Sequence, residues 1–316
     1  MKGSFALLLL AGCAALPPAE IREFAVPESV FAGDEVRVVA RVGAGGTVRI
    51  HLAHDHGEVG SKEFPGEGAR TLEWSFRVRD PGTYAVVIGS RETGRMAFLE
   101  VKEAPLRVLF VERPPRFEYR FLKKALLRDP SLRVHCLLTS ADPGWPQEHT
   151  EGFDDPPSKF PEDLSRYQVV VMGDEPPPEH LARFVREEGG GLVVIAGKVR
   201  WAGALDALLP VAIEGETAEG AEFAAHLTDP GRGFLPFDFS PETKPLRWML
   251  GSKPREGARV LAEADGHPLF VTGTAGKGRV FWSATDETWL WRYLTGDEPY
   301  FYPLWRRAIL WAATGR

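Results

Sequence analysis

The chain is poor in sulfur, with 2 cysteines and 4 methionines among 316 residues. Two cysteines cannot staple a disulfide scaffold, so burial of apolar side chains must hold the fold together. It is also short of positive charge. Lys and Arg number 38 against 44 Asp and Glu, for a net charge of -6. That balance offers no basic face, and no nucleic-acid partner is expected. After the first residues no stretch approaches the about 18 uninterrupted apolar residues that a membrane-spanning helix requires. What is present is an ordinary globular mixture, 44% hydrophobic and 26% charged, which excludes a wholly disordered chain. The length suits two domains or one large one. Gly 33 and Pro 26 call for many turns.

The first residues read as an address. Lys2 is followed by an apolar run from Phe5 to Ala11, too short to span a bilayer but ordered like a secretory signal. The run ends in Leu10-Ala11-Gly12-Cys13, which resembles the bacterial lipobox. The resemblance implies cleavage before Cys13 and acylation of that cysteine. Several acyl chains anchor stably where one is marginal. Ala14 resembles the pattern that sorts lipoproteins to the outer membrane. The expected location is the cell envelope, lipid-anchored on the periplasmic face of the outer membrane. Cys136 then stands alone in an apolar strand and reads as a small buried hydrophobe rather than a reactive thiol.

After a leader and linker at 1–20, two grammars follow. Residues 21–103 alternate with period two over Glu35–Val42, Thr47–Leu52, Leu72–Val78 and Tyr84–Ile88, separated by Gly-rich and Pro-containing turns. Short strands with no helical stretch predict an all-β sandwich. From Leu106, continuous apolar runs alternate with helical spacing. Leu106–Val111, Leu132–Leu138, Val169–Met172 and Leu192–Ala196 read as buried strands, and Glu118–Leu127 and His180–Glu188 as helices. Such alternation predicts a mainly parallel sheet covered on both faces, a flavodoxin-like α/β domain over 104–316. Pro268–Thr272 and Gly278–Ala284 read as a hairpin, and Trp305–Ala313 as a terminal helix.

Two resemblances sharpen this reading. Asp80-Pro81-Gly82-Thr83-Tyr84 resembles the last corner of an immunoglobulin-like domain. Three later segments, Val108–Leu122, Phe184–Gly197 and Gly276–Arg292, resemble the class I glutamine amidotransferase-like domain of bacterial envelope proteins. That family's enzymes use a cysteine on a strand-to-helix turn with a later His and Glu. Here Gly197-Lys198-Val199-Arg200-Trp201 follows the matching strand, and Asp286-Glu287 stand where His-x-Glu belongs. The resemblance therefore implies a catalytically inactive domain, a pseudoenzyme with no catalytic residue of the family's kind.

Ligands of open parallel sheets sit beyond the carboxyl ends of the strands. Those ends carry Glu112, Arg116, Asp174, Lys198, Arg200, Asp286, Trp289 and Arg292. Together they form a rim of carboxylates, guanidinium forks and indoles. It suits an anionic or sugar-like ligand or the charged tip of another envelope protein. It equally suits a salt-bridge network that ties loops to the sheet edge. The sequence thus points to a membrane-anchored binding or scaffolding module. The alternative is an envelope hydrolase with Glu112 or Asp286 as general base. No cofactor or metal is expected. His51, His54 and His56 beside Asp55 read as a solvated loop, since only His54 and His56 share a strand face. Gly273–Gly278 resembles a phosphate loop but lacks the Ser/Thr after the lysine and reads as a hairpin turn. The aromatic cluster from Trp282 to Trp311 reads mostly as packing for the terminal helix.

Overall fold

A computed structural model describes residues 19–55, 57–66, 68–89, 94–216, 222–240, 243–293 and 299–316. Cys13, with the whole leader, lies outside them, as do His56 and residues 294–298. The chain divides into two compact units, Met1–Ala104 and Pro105–Arg316.

The N-terminal unit holds eight strands: β1 (Ile21–Ala25), β2 (Ser29–Phe31), β3 (Glu35–Val42), β4 (Val48–His54), β5 (Gly57–Phe64), β6 (Arg70–Arg77), β7 (Gly82–Gly89) and β8 (Gly94–Lys102). They form a three-stranded sheet, β1-β3-β6, and a five-stranded sheet, β2-β8-β7-β4-β5. The period-two pattern decides which side is inside. Along β3, Val36, Val38, Ala40 and Val42 are buried while Glu35, Arg37 and Arg41 are exposed. Ile50, Val86, Ile88 and Leu99 supply the facing half of one core. The Tyr84 hydroxyl donates to the carbonyl of Asp80 at 2.8 Å and closes the turn before β7.

The C-terminal unit is built from β9 (Leu106–Glu112), α1 (Phe117–Leu127), β10 (Leu132–Leu138), β11 (Val169–Met172), α2 (Leu181–Arg186), β12 (Gly191–Ile195), α3 (Gly203–Asp206), β13 (Val211–Glu216), β14 (Ala225–Leu227), α4 (Asp229–Arg232), β15 (Leu250–Pro254), β16 (Arg259–Ala264), β17 (His267–Ala275), β18 (Gly278–Ser283) and α5 (Phe301–Thr314). A 3-10 turn spans Thr288–Tyr293. Eight strands make one sheet in the order β10-β9-β11-β12-β18-β17-β16-β14, and β13 pairs with β15 apart from it. The first five run parallel. The last three join antiparallel. The apolar strands are buried because the sheet is covered on both sides; Val108 to Val111 and Val169 to Met172 are wholly inaccessible. Gly276, at φ +60°, makes the tight turn of the β17–β18 hairpin.

The fold class expected above is not the one that forms. Strand far exceeds helix among the described residues, and there are four sheets, the largest of them mixed. A flavodoxin-like domain needs a helix across each parallel connection. Between β12 and β18 the chain instead inserts five strands and two helices of four residues. Three of those strands extend the sheet antiparallel. The N-terminal unit likewise does not present a clear immunoglobulin arrangement: β2 joins β8 in parallel, leaving sheets of three and five strands.

Candidate functional site

Because β9, β11, β12 and β18 run parallel, their carboxyl ends share one edge of the sheet. Glu112 closes β9; Asp174, Ala196 and Asp286 lie just beyond β11, β12 and β18. Arg116 then meets the ends of β9, β12 and β18. It occupies the N-cap of α1, a position that favours Ser, Thr, Asp or Asn, and makes no side-chain cap there. Its side chain turns to the sheet instead. Nη2 and Nε donate to Glu112 Oε2 at 2.9 and 3.2 Å, and Nη1 donates to Asp286 Oδ2 at 2.9 Å and to the carbonyl of Ala196 at 2.8 Å.

The carboxylates are satisfied from the other side as well. Glu112 Oε1 accepts the backbone N–H groups of Asp174 at 2.7 Å and Arg113 at 3.2 Å. Asp174 Oδ1 accepts the N–H of Val199 at 2.6 Å, tying the β11 loop to the β12 loop. Two glycines make room. A Cβ on Gly173 would lie 2.3 Å from Glu112 Oε2, and one on Gly197 would lie 2.3 Å from Asp174 Oδ1. Relative side-chain exposure falls to 0% for Glu112, 13% for Arg116 and 24% for Asp286. Burial pushes Glu112 and Asp286 above the ordinary carboxylate range, against the pull of Arg116. Burial would lower Arg116, but Glu112 and Asp286 overcome it and hold the guanidinium above its usual value. A cation held by two flanking carboxylates is a closed lock between β9, α1 and the β18 loop.

A further carboxylate is buried near this lock, close enough to Asp286 to feel its charge. Glu118, fully buried, accepts from Thr288 Oγ1, from Trp305 Nε1 at 2.9 Å and from the N–H of Trp289 at 3.0 Å. It joins α1 to the 3-10 turn and to α5. Burial pushes its carboxyl up to about 7, against those hydrogen bonds. Glu118 is not among the candidate residues read from sequence, although its spacing is a signal that could have found it: it lies four residues before Leu122 and eight before Leu126, on the buried stripe of the helix. Thr288 and Trp305 carried no such signal.

The remaining rim residues separate from the lock. Trp289 stacks on Phe117 with centroids 4.9 Å apart and on Phe121 at 5.9 Å. Arg120 lies over Phe117 and Arg292 over Phe121, at 5.7 and 4.6 Å from the ring centres. This makes an aromatic stack flanked by guanidinium groups, and Phe117 is 53% exposed. Lys198 and Arg200 are exposed on the β12 loop, where Arg200 folds back on the carbonyls of Gly197 and Lys198. So Glu112, Arg116, Asp174 and Asp286 form one cluster, Trp289 and Arg292 a second, and Lys198 and Arg200 an outer loop. Away from the rim, Cys136 is buried and its thiol is pushed up by burial. His54 stacks on Tyr84 and lies 3.1 Å from the carbonyl of Thr83, a structural use. Two hollows, of about 370 and about 540 Å³, do not involve the rim; the first, beside Gln168 and Gly190, opens at the opposite edge of the sheet.

No known protein family and no curated protein matches the chain. Solved structures do. A cytoplasmic protein from Salmonella typhimurium aligns over 66% of this chain and 99% of its own, with 17% identity and a TM-score of 0.51. A second cytoplasmic protein, from Salmonella typhimurium LT2, aligns over 66% and 97% with 22% identity and a TM-score of 0.45. An exo-beta-1,4-mannosidase from an Opitutaceae bacterium aligns over 67% of this chain but 36% of its own, with 20% identity and a TM-score of 0.40. At these identities the first likeness speaks to fold alone. The first is not described as a glutamine amidotransferase, and the architecture is β-rich. The amidotransferase resemblance, with the inactive-enzyme reading built on it, is therefore withdrawn.

Proposed function

We propose that the protein is a lipid-anchored envelope protein whose C-terminal unit is a binding or scaffolding module, with the strand-end rim as its contact surface. One observation carries this reading: Arg116 engages both Glu112 and Asp286, leaving the rim's inner layer closed on itself. A general base needs a lone pair directed at a substrate, and here the inner lone pairs are directed at a guanidinium and at backbone N–H groups. The exposed groups, Phe117 with Arg120 on α1 and Lys198 on the β12 loop, are what a partner would meet. Aromatic and cationic side chains of this kind anchor protein and glycan surfaces. The anchor is the Cys13 lipobox and the partner is another envelope component.

The test is affinity purification of the lipidated protein from membranes, beside a Phe117→Ala/Lys198→Ala variant with an unchanged melting temperature. A partner lost only from the variant supports the reading. A partner retained by both removes the rim from recognition.

A second reading, an envelope hydrolase, is favoured by Glu112 and Asp286, both held above their ordinary range by burial, with Asp286 still partly exposed. It requires hydrolysis of an envelope glycan or ester that disappears in Asp286→Asn while the fold persists.

A further inference from the structure

One stripe of α5, with Leu304, Trp305, Ala308, Ile309 and Ala312, is buried as an amphipathic helix requires. The stripe beside it is only partly covered. Tyr302, Arg306 and Leu310 follow one another at helical spacing, with Pro303 and Arg307 at their side. The segment that follows α4, from Gly233 to Pro236, lines the other wall of a hollow of about 540 Å³. Its lining is apolar apart from the Tyr302 hydroxyl and two guanidinium groups, Arg306 and Arg307, and contains no carboxylate. A hollow of that size with apolar walls and a few fixed polar groups is what a small-molecule site looks like.

Both guanidinium groups are held by one edge only. Arg306 Nε donates to Asp129 Oδ2 at 3.2 Å, and Arg307 Nε donates to the carbonyl of Phe234 at 2.9 Å, with its Cζ 4.9 Å from the Phe234 ring centre. Their terminal Nη groups meet no acceptor among the described residues. The acids nearby are already engaged. Asp129 accepts from Ser131, from the Tyr302 hydroxyl and from Arg306. Asp229 and Asp238, on either side of the Gly233–Pro236 segment, are both held by Arg232, at 3.1 and 3.5 Å. Arg307 has no carboxylate partner among the described residues, so the hollow keeps an excess of positive charge. A guanidinium is weakly hydrated and presents a planar fork of donors, which suits a carboxylate beside an apolar wall. We propose that this hollow binds a small organic anion, an apolar body carrying one carboxylate. The body lies against Leu235, Pro303 and Leu310, and the carboxylate accepts from the guanidinium groups. This does not depend on the reading of the rim, which the hollow does not touch.

The test is equilibrium dialysis of the full, lipidated chain in phosphatidylcholine vesicles against cinnamate, with the uptake of protein-free vesicles subtracted. Saturable binding of one cinnamate per chain is expected. It should be about tenfold tighter than for cinnamamide, which has the same body without the charge, and than for acetate, which has the charge without the body. Arg307→Gln should weaken cinnamate about tenfold and leave cinnamamide unchanged. Because Arg307 also ties down Phe234, a second variant is needed. Leu310→Glu, at a partly exposed helix position, puts a carboxylate into the wall and should also expel cinnamate. Lys253→Gln, an exposed lysine of the two-stranded sheet, is the control for loss of a positive charge. Absence of cinnamate binding up to about 10 mM, or equal affinity for cinnamate and its amide, overturns the proposal. So does undiminished binding by folded Arg307→Gln and Leu310→Glu, or an equal fall in Lys253→Gln. Circular dichroism and the melting temperature of each variant verify folding.

Discussion

The two units hold opposite charges together in opposite ways. In the N-terminal unit, ion pairs such as Arg37–Glu73 and Arg41–Glu23 lie on the solvent face of the small sheet, with side chains 48% to 65% exposed. In the C-terminal unit, Glu112–Arg116–Asp286 is buried to the point that the Glu112 carboxylate is inaccessible. Coulomb attraction between surface charges is weakened by water and by salt, and ordering two long side chains offsets most of what remains. Buried charges lose their hydration, so they depend on their partners. The same residue types are decoration in one unit and a lock in the other.

The largest effect should come from opening the lock. Arg116→Met leaves Glu112 buried with only its backbone donors, and Asp286 without its cation. Breaking one member of a buried pair typically costs about 3–5 kcal/mol. Eight of the nine tryptophans lie in the C-terminal unit, so urea unfolding followed by tryptophan fluorescence reports on the unit concerned. A midpoint within error of the unaltered protein would erase the distinction between the two kinds of pair. Adding Glu112→Gln should restore part of the loss, because it removes the stranded charge.

Next comes Glu118, which sharpens the contrast because the hydroxyl, indole and backbone donors described around it are uncharged. Its carboxyl is held at about 7 in the folded unit, against 4.5 in the unfolded chain. Between those values the unfolded chain binds fewer protons there than the folded one. Stability from this group is therefore greatest below pH 4.5 and declines as pH rises to about 7, by about 3 kcal/mol. Glu112 and Asp286 shift in the same direction, so the difference between the unaltered protein and Glu118→Gln isolates the single group. The unaltered protein should lose more stability from pH 5 to pH 7.5 than the variant. Parallel pH profiles would mean that the three hydrogen bonds keep Glu118 ionised throughout.

Parts of both units could be read from sequence. Leu132–Leu138, largely apolar apart from Arg133 and His135, and the unbroken apolar run Val169–Met172 emerge as strands at the bounds read from the sequence. The helix stripe of Tyr119, Leu122 and Leu126 is buried as its spacing requires. What failed was assembly. The short strands β13 to β16 carry glycine, proline and charge and show no clean period, so the region between β12 and the last hairpin passed as irregular chain. Without them nothing reveals that the sheet continues antiparallel beyond β18, and the alternation upstream suggested a fully wound α/β domain. Segment likeness to a known family reinforced that error, because buried parallel strands look alike wherever they occur. At the site, the strand-end rule finds Glu112, Asp174 and Asp286, since it depends only on direction along the chain. It does not say that Arg116, at a helix cap, would turn inward and occupy two of them. That depends on Gly173 and Gly197 leaving space beside the carboxylates, a three-dimensional fact.

The smallest effect is the one that tests the other side of the comparison. Arg37 and Glu73 lie on adjacent strands, β3 and β6, and their side chains meet at 2.6 Å. The pair raises Arg37 and lowers Glu73, chiefly through their mutual hydrogen bond. Geometry alone would thus rank it with Arg116–Glu112. Exposure ranks it far lower, because water can replace either partner on the open face of the sheet. Arg37→Ala should leave amide hydrogen exchange in β3 and β6 unchanged within error, at low salt and at high salt alike. The core below it, Val36 and Val38 against Trp74, is untouched by the substitution. Exchange in these two strands that accelerates at low salt and not at high salt would show that the pair clamps the sheet, and burial would no longer separate the two units. Unchanged exchange beside a large Arg116→Met effect would leave burial as the variable that turns a contact between charges into a structural one.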